Sequence, residues 1–448
     1  MPLDPARESQ FIQMRAAAGE IFRHALAQAS ISNAFSRHVH CEKGILRVCE
    51  DLYDLHSYSR VVLVSLGKAA HPMAQALTQQ IGQPALENSL TGIVASSVAP
   101  ASQLRGLRYF LGGHPTPNAE SINAAGAILK LLDPQTAASL VIFLLSGGGS
   151  SIVEKPIDDE ISLEDLIATY RAMVHSGAPI AEMNAIRKHL SAVKGGRLAR
   201  AAFPAQQVSL LVSDVPDNTP DALASGPTMP DSTNVEDCYR IAEKHNLLEQ
   251  LPPSTRELFE RRALEETPKS DDPAFYRSRF WTILSNRVAL EHARAAAERA
   301  GFTVHEDNSC DDWDYAAARD YLLKRLRDLR KQSPRVCLLS GGEVTVKVTN
   351  PAGIGGRNQQ FALACGLKIS GENITVLSAG SDGIDGNSPA AGAVVDGTTL
   401  TRAQAHGLET KHALESFDGY PFFKALGDSV ETGATGNNLR DLRILLAY

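Results

Sequence analysis

The 448-residue sequence lacks the features of several protein classes. Its six cysteines show neither C-x-x-C spacing nor the cysteine and histidine spacing of a zinc site, so we expect free thiols in a reducing compartment. No apolar run reaches the roughly 18 residues that a membrane span needs, and the N-terminal region shows no signal-peptide pattern. These absences disfavour a disulfide-rich secreted domain and a membrane protein, and we expect a cytoplasmic location.

The sequence also has no excess of positive charge. It contains 44 lysines and arginines against 51 aspartates and glutamates, which gives a net charge of −7 and a pI of about 6.0. This balance disfavours nucleic acid and anionic membranes as partners. We therefore expect a small-molecule partner. We also expect a monomer or homodimer.

Neither of the common nucleotide-binding motifs is present. The sequence contains no G-x-x-x-x-G-K-S/T phosphate loop and no G-x-G-x-x-G dinucleotide fingerprint. A standard phosphate-loop enzyme and a standard nicotinamide-dependent dehydrogenase are therefore not indicated.

What the sequence does contain is a series of apolar runs that end in glycine-rich turns. Residues 336–339 are typical of a buried strand, and they lead into the turn 340–343, Ser-Gly-Gly-Glu. A second glycine cluster at 353–356 leads into Arg357 at the start of an apolar helix. Backbone N–H groups, a helix N-terminus and an arginine together favour an anionic ligand.

Four other predicted strands end in the same way. Their turns lie at 67–68 (Gly-Lys), 146–151 (Ser-Gly-Gly-Gly-Ser-Ser), 213–214 (Ser-Asp) and 380–383 (Gly-Ser-Asp-Gly). Ligands bind at the carboxyl ends of strands in parallel sheets, so these turns together predict a binding site. The alternative is that glycine turns follow the strands for structural reasons alone.

Two stripes run along the predicted helix 181–194. One stripe is apolar. The other is polar and consists of residues three or four positions apart: Asn184, Arg187, Ser191 and Lys194. The polar stripe fits a ligand-binding face, and the alternative is a basic face in contact with solvent, to which we assign Lys188 and His189.

Aspartates near strand ends are candidates for a metal site. Asp214 and Asp217 follow a predicted strand and can hold a magnesium ion or orient a hydroxyl group. Asp382 and Asp385 lie in a loop that can coordinate a cation, although it lacks the acidic residues of an EF-hand. Glycine–aspartate loops are also common as simple turns.

Length and segment composition predict two α/β domains. The chain exceeds what one hydrophobic core normally organises, and the polar segment 231–275 interrupts the strand and helix patterns. We place an N-terminal domain at 1–250 and a C-terminal domain at 275–448.

From residue 60 onward, the motifs resemble in order those of the glycerate 2-kinases with a C-terminal MOFRL domain, a family sometimes labelled hydroxypyruvate reductase. The similarity is far more specific than any single turn. It is carried by the segments 146–150, 184–188, 194–196, 213–215, 224–228, 340–343, 355–359, 382–386 and 435–437. Ala434 stands where the family is expected to have proline, and Asn438 where valine is usual.

The resemblance implies a Rossmann-like parallel sheet with flanking helices in the N-terminal domain, an α/β domain of MOFRL type after it, and a cleft between them. It also implies transfer of the γ-phosphoryl group of ATP to the 2-hydroxyl of D-glycerate, with Mg²⁺. Two other readings stay open. One is an NAD(P)H-dependent hydroxypyruvate reductase, which would need a nicotinamide site, and the other is a non-catalytic sugar-acid-binding protein.

The residue roles that we expect follow from the resemblance together with the turns. The catalytic residues are Lys68, Arg357 and Asp214. The nucleotide-binding residues are Ser146, Gly147, Gly148, Gly149, Ser150, Lys194, Gly195, Ser340, Gly341, Gly342 and Glu343. The substrate-binding residues are Asn184, Arg187 and Asn358. The metal ligands are Asp214, Asp382 and Asp385.

Overall fold

The computed structural model describes residues 5–82, 90–348 and 353–448, which form two compact α/β units. The first unit is Ile31–Ile283, and the second combines the residues up to Ser30 with Leu284–Tyr448. The predicted fold class is confirmed. We had placed the first helix in the N-terminal domain, whereas Pro5–Gln28 buries Phe11 and Phe22 in the core of the second unit.

The first unit is built on a six-stranded sheet. Its strands are β4 (Arg60–Leu66), β5 (Leu90–Ser96), β6 (Leu107–Leu111), β7 (Ser139–Ser146), β8 (Gln206–Val212) and β9 (Ser278–Leu284). Their order is β6-β5-β4-β7-β8-β9, and the pairs from β6 to β8 are all parallel. β4 and β7 lie at the centre and are almost wholly buried, as their continuous apolar runs predict.

Helices cover this sheet, and a small antiparallel sheet precedes it. The small sheet consists of β1 (Val39–Glu42), β2 (Ile45–Val48) and β3 (Asp51–Asp54). The α-helices of the unit are Ile31–His38, Ala70–Ile81, Ala119–Leu132, Gly149–Ile152, Leu163–His175, Ile180–His189, Arg197–Ala202, Val235–Lys244 and Pro253–Glu260. Short 3₁₀ helices lie at Leu55–Ser57, Pro220–Ser225 and Pro273–Phe275.

The second unit has a mixed sheet. Its strands are β10 (Thr303–Glu306), β11 (Val336–Gly341), β12 (Ile374–Gly380), β13 (Gly392–Asp396), β14 (Ser429–Val430) and β15 (Asp441–Ala447). The order is β10-β11-β15-β12-β13-β14. The C-terminal strand β15 is antiparallel to both of its neighbours and wholly buried, so the end of the chain forms the middle of this sheet.

Helices pack on both faces of the mixed sheet. They are Pro5–Gln28, Asn286–Arg299, Tyr315–Arg330, Arg357–Lys368, Thr399–Ala405, Thr410–Glu415 and Gly419–Leu426. In the described ranges, no helix is both long enough and apolar enough to cross a membrane.

Candidate functional site

The carboxyl ends of β4, β7 and β8 meet at one edge of the first unit's sheet. The backbone N–H of Lys68 donates to the carbonyl of Gly147 (2.8 Å), and the N–H of Ala69 donates to the hydroxyl of Ser146 (3.0 Å). A methyl group on Gly147 would overlap the carboxylate of Asp214. Three of the turns that the sequence predicts as ligand-binding therefore lie together, as expected for parallel strands.

Gly148 occupies the centre of this turn and has a left-handed backbone conformation (φ +80°). A methyl group there would lie 2.9 Å from Cδ2 of His114 and 3.1 Å from Cγ of Lys68. Both the backbone conformation and the close approach therefore require glycine. Burial lowers the pKa of His114, and the positive charge of Lys68 lowers it further, which favours a neutral imidazole at pH 7.

A cavity of about 380 Å³ opens beside Gly148, within the size range of small-molecule pockets. Its lining residues in the described part of the chain include no aspartate or glutamate. They are His114, Pro115, Thr116, Pro117, Gly148, Ser150, Ser151, Ile167, Tyr170, Arg171, Val174, His175 and Arg187. Two arginines without a carboxylate in the wall make this cavity suited to an anionic ligand.

Arg187 lies in the wall of this cavity, with its guanidinium carbon 4.9 Å from the centre of the Tyr170 ring. Its Nε is buried without a hydrogen-bond partner, and the side chain forms no salt bridge within the described residues. The residue Lys68 is exposed and likewise forms no salt bridge in the ranges that the structure covers. Asn184 is partly exposed one helical turn before Arg187. Lys68 and Arg187 thus carry charge that no acidic side chain among the described residues neutralises, and the exposed Arg171 adds a third cation in the cavity wall.

Lys194 does not lie on the helix that carries Arg187, as we predicted, because that helix ends at His189. Its nucleotide-binding role stays a prediction. Its side chain is 1% exposed, and its ammonium forms an ion pair with the buried carboxylate of Glu154. It also donates to the hydroxyl of Tyr170 (3.2 Å). In this arrangement the ammonium is enclosed by protein. Gly195 follows with a positive φ of 55° and donates its N–H to the carbonyl of Ser225 (3.0 Å).

The assignment of Lys188 and His189 to a solvated basic face is wrong. Lys188 is 5% exposed and donates to Asp221 (2.9 Å) and Asp231 (3.2 Å). His189 is wholly buried, with Nε2 2.9 Å from an oxygen of Glu266. Buried ionisable groups need such partners to offset the loss of water. Lys188 therefore helps to hold the segment after β8, and His189 helps to hold the segment around Glu266.

The turn after β11 in the second unit is already occupied by protein groups. Gly341 donates its N–H to the side chain of Asn308 (2.7 Å), and Glu343 donates its N–H to Asp311 (3.0 Å). Ser340 is fully buried, and its hydroxyl has no hydrogen-bond partner within the described ranges. Gly342 has a φ of +86° and packs against Asp311. Two N–H groups that we expected to face a nucleotide thus have side-chain acceptors.

Arg357 begins the helix Arg357–Lys368, as predicted, and is held by two carboxylates. Its guanidinium donates to both oxygens of Asp441 (2.6 and 3.0 Å) and lies 2.7 Å from an oxygen of Glu343. Burial acts to lower the pKa of Arg357, but the two carboxylates outweigh it and raise the pKa above its usual value. The side chain remains 37% exposed, so part of the guanidinium is accessible.

Asn358 and Asp385 support the start of that helix. Asp385 is buried and accepts the backbone N–H groups of Asn358 (3.1 Å) and Gln359 (2.8 Å). Asn358 is 1% exposed and accepts the hydroxyl of Ser378 (2.7 Å). The structure therefore gives both residues a structural task that the sequence did not predict, and their substrate and metal roles stay predictions.

Asp382 accepts the N–H of Ile384 (3.1 Å) and is partly exposed. The structure, over the ranges it describes, contains no group of three or more histidine, cysteine or acidic side chains arranged to hold a metal ion. A metal ion bound by Asp214, Asp382 or Asp385 would therefore need further ligands other than a cluster of histidine, cysteine or acidic side chains.

Comparison with known proteins identifies the family. The family models described as "Domain of unknown function (DUF4147)" and "MOFRL family" match residues 17–260 and 336–441. A D-glycerate 2-kinase from Thermotoga maritima is 35% identical over 390 residues, which cover 86% of this chain and 90% of that protein. The chain belongs to the MOFRL glycerate kinase family.

Two further comparisons are informative. A relative from Agrobacterium vitis, which bears the name "Putative hydroxypyruvate reductase", is 37% identical over 86% of this chain and 87% of that protein. The crystal structure of a glycerate kinase from Thermotoga maritima has a TM-score of 0.83 and 32% identity, covering 97% of this chain and 100% of that one. The two names show that the family label alone does not decide the reaction.

Three residues that shape these sites were not predicted from the sequence. Glu154 follows the first glycine turn by a few residues, Tyr170 lies inside an amphipathic helix, and Asp441 opens the last strand. No local motif marks them, because each acts through a partner that is distant in sequence. The sequence offers a signal for Glu154 alone, which is an acidic residue directly after two apolar residues and a glycine turn.

Proposed function

We propose that the protein transfers the γ-phosphoryl group of ATP to the 2-hydroxyl of D-glycerate, with Mg²⁺, and forms 2-phosphoglycerate. Family membership supports a kinase acting on glycerate. The observation that carries the proposal further is the pair of uncompensated cations, Lys68 beside Gly148 and Arg187 in the cavity that Gly148 lines. Both partners in this reaction, a triphosphate and a 2-hydroxy acid, are anions. A cytoplasmic location and a monomer or homodimer are part of the same proposal.

The reaction is a displacement at phosphorus. The 2-hydroxyl oxygen forms a bond to the γ-phosphorus, the bond from that phosphorus to the bridging oxygen of ADP breaks, and the hydroxyl proton passes to a base. Catalysis of such a step depends mainly on positioning and on neutralisation of phosphate charge. Lys68 is suited to the phosphoryl group, and Asp214, which packs on Gly147 at the same edge of the sheet, is the candidate base or metal ligand. The guanidinium of Arg187 is suited to the glycerate carboxylate, because it can donate two parallel hydrogen bonds.

The residues at this edge of the sheet fit a magnesium ion. Mg²⁺ in such enzymes is usually bound by one or two carboxylates, by substrate phosphates and by water, and not by a cage of protein ligands. The single carboxylate of Asp214, packed on Gly147 beside Lys68, matches that requirement. When bound, the ion would neutralise phosphate charge. In the second unit, Asp382 and Asp385 are the candidate metal ligands. Arg357 is the candidate for a second catalytic cation.

The test compares two reactions of the purified protein and its binding of D-glycerate. ADP formation should require D-glycerate and Mg²⁺ together, and it should fall about 10²-fold or more in Lys68→Met. Lys130→Met, which removes an exposed lysine from the helix Ala119–Leu132, is the matched control and should behave as the wild type. Oxidation of NADH or NADPH by hydroxypyruvate would instead identify a reductase. Binding of D-glycerate without turnover in any assay would identify a sugar-acid-binding protein.

A further inference from the structure

Tyr170 lies between the cavity and a buried ion pair. Its ring is stacked against the guanidinium of Arg187 on the cavity side, 4.9 Å from ring centre to guanidinium carbon. Its hydroxyl donates to a carboxylate oxygen of Glu154 and accepts from the ammonium of Lys194 (3.2 Å). The ring therefore connects the buried pair to the cavity wall.

The ion pair beneath Tyr170 is fixed from several directions. Glu154 is wholly buried, and its second oxygen accepts the hydroxyl of Ser191 (2.6 Å) and the backbone N–H of Lys155 (3.0 Å). Lys194 is 1% exposed and is also 5.2 Å from the Tyr170 ring centre. Burial raises the pKa of Tyr170, and the charge of Glu154 raises it further, so the phenol stays protonated and can keep donating. A tyrosine held in this way has little rotational freedom.

The charges of Arg187, Lys194 and Glu154 do not cancel. Lys194 and Glu154 neutralise each other, whereas Arg187 has no acidic partner within the described residues. The Nε of Arg187 is buried without a hydrogen-bond partner, which is energetically unfavourable. A ligand that accepts a hydrogen bond from this guanidinium would offset that cost. One guanidinium fits one planar anion with two oxygens, and the apolar walls formed by Ile167 and Pro117 fit a short carbon chain.

We propose that Arg187 binds the carboxylate of the substrate in this cavity, and that Tyr170, fixed by Glu154 and Lys194, is the positioning residue that holds the guanidinium in place. The inference rests on the proposed function, because it names where the 2-hydroxy acid of that reaction binds. It assigns the carboxylate, and not the phosphates of ATP, to Arg187. Lys194 then acts behind the cavity wall, without contact to nucleotide.

Steady-state kinetics separate these roles when D-glycerate and ATP are varied in turn. Arg187→Leu should raise the KM for D-glycerate about 30-fold or more, with kcat changed about threefold at most and the KM for ATP unchanged. Tyr170→Leu should raise the same KM about 5- to 10-fold, because the ring that orients Arg187 is lost. Tyr170→Phe keeps the ring and loses the hydroxyl that Glu154 and Lys194 hold, so its KM for D-glycerate should lie between those of the wild type and Tyr170→Leu. Arg240→Leu, an exposed arginine on another helix, is the matched control.

A binding measurement keeps the inference distinct from the proposed function. Calorimetry without ATP should show that D-glycerate binds the wild type and binds Arg187→Leu at least 10-fold more weakly, while glycerol, which lacks the carboxylate, binds neither. A wild type that binds D-glycerate in this way but consumes no ATP would overturn the proposed kinase and leave the carboxylate site supported. An active wild type whose Arg187→Leu variant, with a normal melting curve, keeps its KM for D-glycerate would overturn the inference. A raised KM for ATP alone would also overturn it and would assign Arg187 to phosphate.

Discussion

The guanidinium of Arg357 donates two hydrogen bonds to the carboxylate of Asp441, at 2.6 and 3.0 Å. Arg357 begins a helix, and Asp441 begins the central strand of the second unit's sheet. This pairing fixes the plane of the guanidinium while 37% of the side chain remains exposed. Arg357 is thus oriented by protein and still able to contact a ligand.

Replacement of Arg357 by lysine keeps the charge and removes the paired hydrogen bonds. If Arg357 stabilises the transferring phosphoryl group, kcat should fall about 10²-fold or more with little change in KM, and this is the result that we expect. A raised KM for D-glycerate with normal kcat would place the arginine on the substrate carboxylate. Near-normal kinetics with a lower melting temperature would show that the pair with Asp441 is purely structural.

Gly148→Ala should reduce activity without unfolding the protein. The added methyl group lies against His114 and Lys68, and alanine disfavours the positive φ of this position. We expect kcat to fall about 10-fold or more, because Lys68 has to move. Gly126→Ala is the control, since its methyl group meets no atom within 4 Å in the helix Ala119–Leu132. That change should leave kcat unaltered and stabilise the helix by about 0.5–1 kcal/mol. Equal activity of the two variants would contradict the assignment of Gly148.

Asp385 should make the stability of the protein depend on pH. Burial raises the pKa of this carboxyl to about 7, against the lowering effect of the two backbone N–H groups that it accepts, while its ordinary value is 3.8. Between these pH values the folded state binds more protons than the unfolded state. The contribution of Asp385 to the free energy of unfolding is therefore complete below about pH 4. It is lost as the pH rises towards 7, by at most about 1.4 kcal/mol per pH unit. Well above pH 7, the titration of Asp385 changes the free energy of unfolding no further.

Asp385→Asn removes the titrating group and keeps the shape. Denaturant unfolding of both proteins from pH 4 to pH 8 should show the wild type losing stability relative to the variant as the pH rises. Parallel curves for the two proteins across this range would contradict the raised pKa of Asp385.

Lys194 and Glu154 should show strong coupling in stability. Each single change, Lys194→Met or Glu154→Gln, leaves one member of a buried pair without its partner and should cost about 3–5 kcal/mol in the free energy of unfolding. The double variant should be more stable than the sum of the two losses predicts, because no unpaired charge remains. Additive losses would show that the two side chains do not interact as the structure describes.

The sequence was a good guide wherever a structural feature is local. Apolar runs identified the central strands β4, β7 and β8, and the glycine turns after them converge because parallel strands end at one edge. Arg187 was recognised by its helical spacing, and the structure places it in a cavity beside one of those turns.

The features that could not be predicted depend on contacts between distant segments. Lys194 belongs by spacing to the predicted stripe of Arg187, but the helix ends at His189. Lys194 therefore lies beyond the helix and is buried next to Glu154, 40 positions away. Asn358 and Asp385 are polar residues in glycine-rich segments, and the structure uses them to begin a helix. The first helix packs on the second unit because its apolar face complements residues near 290 and 446, which no periodicity reveals.

The most direct measurement of the central claim is the phosphorus NMR spectrum of D-glycerate, ATP and Mg²⁺ after incubation with the protein. We predict that the γ-phosphorus signal of ATP declines and that one phosphate-ester signal appears as a doublet, because the phosphorus of a 2-phosphate couples to the single proton on C2. A triplet would place the phosphate on the CH₂ carbon and contradict transfer to the 2-hydroxyl. The absence of any ester signal, with NADH oxidised by hydroxypyruvate in a parallel sample, would contradict the kinase altogether.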